Sequence, residues 1–309
     1  MANRLSNDYY TFAVAEGTYG TKQTTLTSAV AMSDTVCEIH KDVQTTPTKI
    51  KTTTLEPDHE ESIITSTAAT VTLKGNLCTG YQWLLQAYFM KAASAYVMTS
   101  PQPAISTGFE YTIYKYYPSV VPYYDCGVGC VMSDLKLSGE ANGIIGFEAT
   151  FRAKSMERGT ASALTGMPAN TPSTPFIFGN VTAILYDTQT TLINFNLNLS
   201  KNFVDDRITY QNSLTKVAEI MTGYSGTLEY SVVYDDVADA VDAYIGDTSI
   251  EVTDSIVLIS GTVEWTILTY GMIADFSPPD VDKSLFEGKY TMQLATSPAA
   301  AVPITITVT

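Results

Sequence analysis

The sequence predicts a mainly β protein: a β-sandwich with flanking short helices, built as two duplicated sandwich units in one chain. Three observations carry that expectation. Thr, Ser, Val, Ile and Tyr are abundant among the 309 residues, and Tyr alone occurs 20 times. Such β-branched and aromatic side chains fit a pleated, half-buried surface. Short segments alternate apolar and polar residues at period two between Gly, Asn and Asp punctuation, the mark of strands with one buried face. Finally, an arrangement of strand, helix and strand recurs about half a chain later.

Val71, Leu73 and Leu77 give the first strand signal of that arrangement. Tyr81, Leu84, Leu85, Tyr88 and Phe89 then fall at i, i+3, i+4, i+7 and i+8, one apolar stripe along a three-turn helix. Glu110-Tyr111-Thr112-Ile113 begins the strand that follows. In the second half, Leu228, Tyr230 and Val232 precede Val237, Ala240, Val241, Tyr244 and Ile245, which repeat the same five offsets. Asp235 and Asp236 suit the N-cap and positive dipole end of this helix. Glu264-Trp265-Thr266-Ile267 follows it. The recurrence reads as a duplication with units at 1–130 and 131–309.

Between the repeats, Leu135 and Leu137, the turn Glu140-Ala141-Asn142-Gly143, and Phe147, Ala149 and Phe151 make a hairpin. Its apolar set faces the core, so Lys136, Ser138, Glu140, Glu148 and Thr150 share the opposite face. Leu192, Phe195, Leu197 and Leu199 form a strand after the turn Asp187-Thr188, with Asn194, Asn196 and Asn198 on its polar side. The segment from Ala161 to Pro175 is a Gly, Ala, Ser, Thr and Pro loop. Lys41–Pro57 and Asp275–Lys283 read as loops or long arms, the first suited to stacking contacts. Ile304, Ile306 and Val308 make a final strand, open to pairing with a neighbouring subunit.

Composition narrows the function. With 45% hydrophobic and 16% charged residues, the chain buries readily and is not disordered. Asp and Glu number 32 against 17 Lys and Arg, a net charge of −15. A chain this acidic does not wrap nucleic acid by neutralising phosphates; it repels a polyanion passing close by. The opening residues Met1 to Asp8 lack the apolar stretch of a secretory signal, and no run reaches membrane-spanning length. Cys37, Cys78, Cys126 and Cys130 make no disulfide framework in a chain this long.

No constellation of catalytic residues emerges. His40 and His59 each stand without a second ligand or a nucleophile elbow at workable spacing. Cys126 and Cys130 have a poor spacing for zinc and no second pair. Glu60-Glu61 are neighbours that point to opposite faces of a strand, and Asp235-Asp236 cap a helix. Gly127-Val128-Gly129 lacks the Lys-Ser/Thr of a phosphate loop. The expectation is a protein that is not an enzyme, with no catalytic, metal or cofactor-binding residues and no cofactor.

The order of segments resembles a known family. Ala15-Glu16-Gly17-Thr18-Tyr19-Gly20-Thr21 is similar to the Glu-x-Ser/Thr-Tyr-Gly-Thr opening of the bacteriophage major tail tube proteins. Leu135 to Ile144, followed by Ala149-Thr150-Phe151-Arg152-Ala153-Lys154, resembles their central hairpin. Gly226-Thr227-Leu228-Glu229-Tyr230 running into Tyr234-Asp235-Asp236 is similar to their late strand-helix unit. The resemblance implies a structural protein of the virion, assembled in the host cytoplasm, whose rings stack into a tube for genome ejection. It implies partners: further copies of itself, in homotrimeric pseudo-sixfold rings if duplicated and homohexameric ones otherwise. Tail tip, tail terminator and tape measure proteins are the other partners, DNA passes transiently without sequence preference, and no membrane is involved. An acidic lumen would then keep DNA from adhering, and Ser138, Glu140, Glu148, Thr150, Asn194, Asn196 and Asn198 are the candidates to line it. The alternative is a tail-fibre or surface adhesin, a β-sandwich that binds glycans through Thr-rich strands and surface Tyr.

Overall fold

Strand pairing in this chain follows one scheme, used twice. A computed structural model describes residues 9–32, 35–50, 59–98, 109–118, 121–168, 173–185, 188–189, 191–203, 221–234, 251–277, 286–295 and 302–309. The strands of the first half are β1 (Tyr10–Ala15), β2 (Val30–Met32), β3 (Thr35–Ile50), β4 (His59–Asn76), β5 (Ala95–Val97), β6 (Tyr111–Tyr117), β7 (Tyr123–Glu140), β8 (Gly146–Ala153) and β9 (Ser155–Thr160). Those of the second are β10 (Thr182–Leu185), β11 (Thr188–Gln189), β12 (Thr191–Phe203), β13 (Met221–Tyr234), β14 (Glu251–Ser260), β15 (Val263–Ser277), β16 (Phe286–Leu294) and β17 (Ile304–Val308). The helix α1 (Gln82–Phe89) lies between β4 and β5.

In the first scheme β1 pairs with β2 and β6, β6 with β7, β7 with β9 and β8, β8 with β4, and β4 with β3. In the second, β10 pairs with β11 and β14, β14 with β15, β15 with β17 and β16, β16 with β13, and β13 with β12. All are antiparallel, and each strand of one scheme has a counterpart in the other. Two of the irregularities match as well. Ser133 is an extra residue of β7 against β8, and Ala274 is an extra residue of β15 against β16. Likewise Thr65 is extra in β4 against β3, and Thr222 in β13 against β12. A β-bulge re-aims a strand at a chosen point, so bulges at matching places fix the correspondence residue by residue. Asp134 answers to Asp275, Thr150 to Thr291, Leu73 to Tyr230, and Glu38 to Asn196.

Each scheme has one long strand that leaves one partner pair for another. The first half of β7 pairs with β6 and β9, and its second half with β8 and β12. A glycine stands at each crossover. Gly129 has φ +66, and a Cβ there would lie 3.1 Å from the Gly20 backbone. In β15, a Cβ on Gly271 would meet the Gln293 carbonyl oxygen at 2.2 Å, closer than any side chain allows. The two schemes join through β7 and β12, giving one sheet in the order β3-β4-β8-β7-β12-β13-β16-β15.

Beneath that sheet lies one apolar core, drawn from both halves and running from Ala13 to Ile306. Helix α1 lays Tyr81, Leu84, Leu85, Tyr88 and Phe89 on it as its apolar stripe predicts, and Trp83 stacks on Phe151 with ring centroids 6.0 Å apart. A second, smaller core gathers Phe12, Val14, Leu26, Tyr114, Tyr124, Cys126, Val128 and Leu164 on the far side of β1, β6 and the start of β7.

Several expectations change. The boundary expected between residues 130 and 131 falls inside β7; the segment 161–181, with short 3-10 turns at Ala161–Ala163 and Phe178–Asn180, separates the two schemes. The tetrapeptides at Glu110 and Glu264 open β6 and β15, which are not counterparts, because β6 corresponds to β14. Lys41–Ile50 is not a loop but the second part of β3, paired to β4. Its Thr-rich sequence keeps β propensity without showing an apolar face. Asp275–Ser277 ends β15. The final strand pairs inside the chain, with β15 and β5, rather than with a neighbour. The second helix, Val237–Ile245 with its Asp235-Asp236 cap, lies outside the described residues, as do residues 51–57 and 278–283.

Candidate functional site

Period two sorts every strand of the shared sheet onto two faces. Leu135, Leu137, Phe147, Ala149, Phe151, Phe195, Leu197 and Leu199 are all buried on the core side. The seven candidate positions take the other side, and the register brings them together. Glu140 lies opposite Asn194 and Ser138 opposite Asn196, across the β7–β12 junction. Lys136 lies between Asn198 and Glu148, and Thr150 opposite both Asp134 and Thr72. Sequence reasoning had placed two polar strips; pairing makes them one surface.

That surface is wider than the candidates. Strands β3 and β4 add Glu38, His40, Thr70, Thr72 and Lys74, while β13 and β16 add Thr227, Glu229, Lys289, Thr291 and Gln293. Side chains on it are tied across strands. Ser200 donates to Asp134 Oδ1 at 2.7 Å across the β7–β12 junction, and within β7 the neighbouring Ser133 donates to Asp134 Oδ2 at 2.6 Å. Asn196 donates to Glu229 at 3.1 Å, and Lys74 approaches Glu148 at 3.8 Å. Glu140, Lys136, Asn194 and Asn196 also line a shallow concavity beside the Gly143 turn. Glu38, Asp134, Glu140, Glu148, Glu229 and Glu287 stand against Lys74, Lys136, Arg152 and Lys289. The face is therefore mostly uncharged and polar, with a slight acidic excess.

The signature opening has a different task. Glu16 is buried, and its Oε1 accepts from the Thr112 hydroxyl at 2.6 Å and the Gly129 N–H at 2.8 Å, while Oε2 accepts from the Gly20 N–H at 2.8 Å. Burial raises its pKa, and the three donors pull it back. This carboxylate pins the loop after β1 onto the crossover of β7. The motif contained the signal and one partner, Gly20, but Thr112 and Gly129 lie roughly a hundred residues away and no local pattern names them.

Other singled-out residues fall elsewhere. Cys126 faces the small core and Cys130 the large one, on either side of the Gly129 kink, so the pair does not converge on a shared site. Burial pushes the Cys37 and Cys126 thiols up to about 12. His40 is exposed beside Glu38 at 3.6 Å on β3. Lys201 was missed altogether. It is buried on the core side of β12, its Nζ 4.7 Å from the Tyr88 ring centroid, with no hydrogen-bond partner among the described residues. Burial lowers its pKa to about 7.

The candidates thus share one broad polar surface on a continuous sheet, with its core packed behind it. No curated protein matches the chain at a significant level. The family model described as phage tail tube protein matches residues 7–304. That span takes in the Glu16 loop and both pairing schemes up to the start of β17, and the chain belongs to the phage tail tube protein family.

Proposed function

We propose that this tail tube structural protein polymerises into stacked rings and that the polar face of the shared sheet lines the channel through which DNA leaves the virion. The observation that carries the reading is the width of that face: eight strands, from β3 to β15, all turn their apolar sides to the core. A wide open sheet leaves unpaired backbone groups along its edge strands, and closure into a barrel removes such edges. Asn194, Asn196, Asn198, Ser138 and Thr150 would hold water against the wall, and Glu140 and Glu148 would repel phosphate. The doubled scheme supports two tube units per chain, hence three chains per pseudo-sixfold ring. Tail tip and terminator proteins would close the ends, and a tape measure protein would occupy the lumen before ejection. Assembly would take place in the host cytoplasm.

Negative-stain microscopy of the purified protein tests this. Hollow rods of constant diameter are expected. Discrete particles that bind a glycan would replace the reading with the adhesin alternative.

A further inference from the structure

The β6–β7 hairpin ends on a pair of tyrosines that its counterpart lacks. Tyr117 of β6 lies directly opposite Tyr123 of β7, whereas β14 and β15 end with Ser260 opposite Val263. The two phenol rings are stacked, 17° from parallel, with centroids 4.6 Å apart. That is closer than the pairs Tyr114–Tyr124 and Tyr230–Tyr290, each at 5.1 Å. Those two pairs are sealed in the cores, while Tyr123 is 37% exposed and Tyr117 half-buried.

Cations flank the stack. The Lys115 Nζ lies 4.3 Å from the Tyr9 ring centroid and 5.8 Å from that of Tyr117. Arg158 lies 5.7 Å from the Tyr123 ring centroid, and its guanidinium donates to Asp125 at 2.6 and 3.1 Å. Burial raises the Tyr117 pKa, and the Lys115 ammonium opposes that rise by favouring the phenolate. Two phenols are thus held in contact where water and a small oxidant reach them, and a cation beside one of them eases loss of its proton.

We propose that Tyr117 and Tyr123 form an oxidative modification site, at which a one-electron oxidant couples the two rings into dityrosine. Two equivalents of oxidant take one electron each, and each phenol gives its proton to water. The two phenoxyl radicals then join, ortho carbon to ortho carbon. The hydrogen on each of those carbons moves through water to its phenol oxygen, which restores both aromatic rings. One carbon–carbon bond forms, and the chain loses two electrons and two protons in all. The link ties β6 to β7 beside the small core, into which the same two strands send Tyr114 and Tyr124. It lies within one chain and stands apart from the tube reading.

Photo-oxidation of the folded full-length protein, with a ruthenium trisbipyridyl sensitiser and persulfate, tests the site. Wild type should become two hydrogens lighter and gain the blue fluorescence of dityrosine. Fragmentation of the peptide that holds both residues should place the link between Tyr117 and Tyr123. Held contact raises the effective concentration of the two rings, so the chain unfolded in urea should give about tenfold less of this link. Tyr123→Phe keeps a ring in the stack but cannot supply the second phenoxyl radical, and should remove the product while circular dichroism stays that of the folded chain. Tyr9→Phe should leave the product in place. No link in folded wild type, a link that maps to another pair, an undiminished yield in folded Tyr123→Phe, or equal yields from folded and unfolded chains would each overturn the proposal.

Discussion

The first pairing scheme and the second share a plan but not a finish. Both run a short outer pair, a long hairpin, a strand that changes partners at a glycine, and a closing strand. In the first, the connection from β1 to β2 spans Glu16 to Ala29 and builds a second core around Leu26, Tyr114 and Tyr124. In the second, only two residues separate β10 from β11, and Ile184 is half exposed at 57%. The comparison separates what the frame requires from what was added to one copy. Strand order and two of the bulges recur, so they belong to the frame. Among the described residues the Glu16 lock and the small core are found in the first unit alone.

The largest expected effects fall on the frame. Phe151 and Met292 are counterparts, both fully buried in the common core. Phe151→Ala should lose about 4 kcal/mol and Met292→Ala about 3 kcal/mol. Chemical denaturation should show one cooperative transition in both variants, since the core is shared. Two separate transitions, each sensitive to one substitution, would break the comparison into independent domains.

Next comes the addition. Glu16→Ala leaves two buried donors and one half-buried donor without this acceptor and should destabilise by about 3 kcal/mol. Gly129→Ala adds left-handed strain and a contact with the Gly20 backbone, for about 2 kcal/mol. A double variant should lose less than the sum, because both changes undo one contact. Strict additivity would show that the loop is not held through this pair.

Lys201 sharpens the comparison through pH. Its counterpart in β3 is Val43, so the buried amine is peculiar to the second unit. Unfolded, the amine titrates near 10.5; folded, burial lowers this to about 7. Between those values the unfolded chain binds more protons, so stability should rise as pH climbs from about 7 toward 10.5, by up to roughly 4 kcal/mol. Lys201→Met should flatten that rise and raise stability at pH 7. A wild-type curve already flat across this window would show the amine finds an acceptor.

The smallest expected effect on folding is on the polar face. Glu140→Lys with Glu148→Lys should change stability by less than about 0.5 kcal/mol and leave assembly intact, yet slow DNA ejection from assembled tails. Unchanged ejection kinetics would remove this face from the lumen.

How much of this was legible in the sequence follows from what each pattern encodes. The period-two runs at 135–151 and 192–199 fix faces locally, so the seven candidates and their core partners were readable. The stripe of α1 was readable for the same reason. Register between strands was not, because Asn196 meets Ser138 only through chain closure over more than fifty residues. The Lys41–Ile50 part of β3 gave no alternation to read. The matched tetrapeptides at Glu110 and Glu264 misled, since four residues recur by chance where bulges such as Ser133 and Ala274 do not announce themselves.

The mass of a single ring tests the central claim most directly. Native mass spectrometry of rings released from short tubes should give three times the 33.5 kDa chain mass, each chain supplying two units. A ring of six chains would show that one chain acts as one unit, and that the doubled pairing scheme does not set the symmetry of the tube.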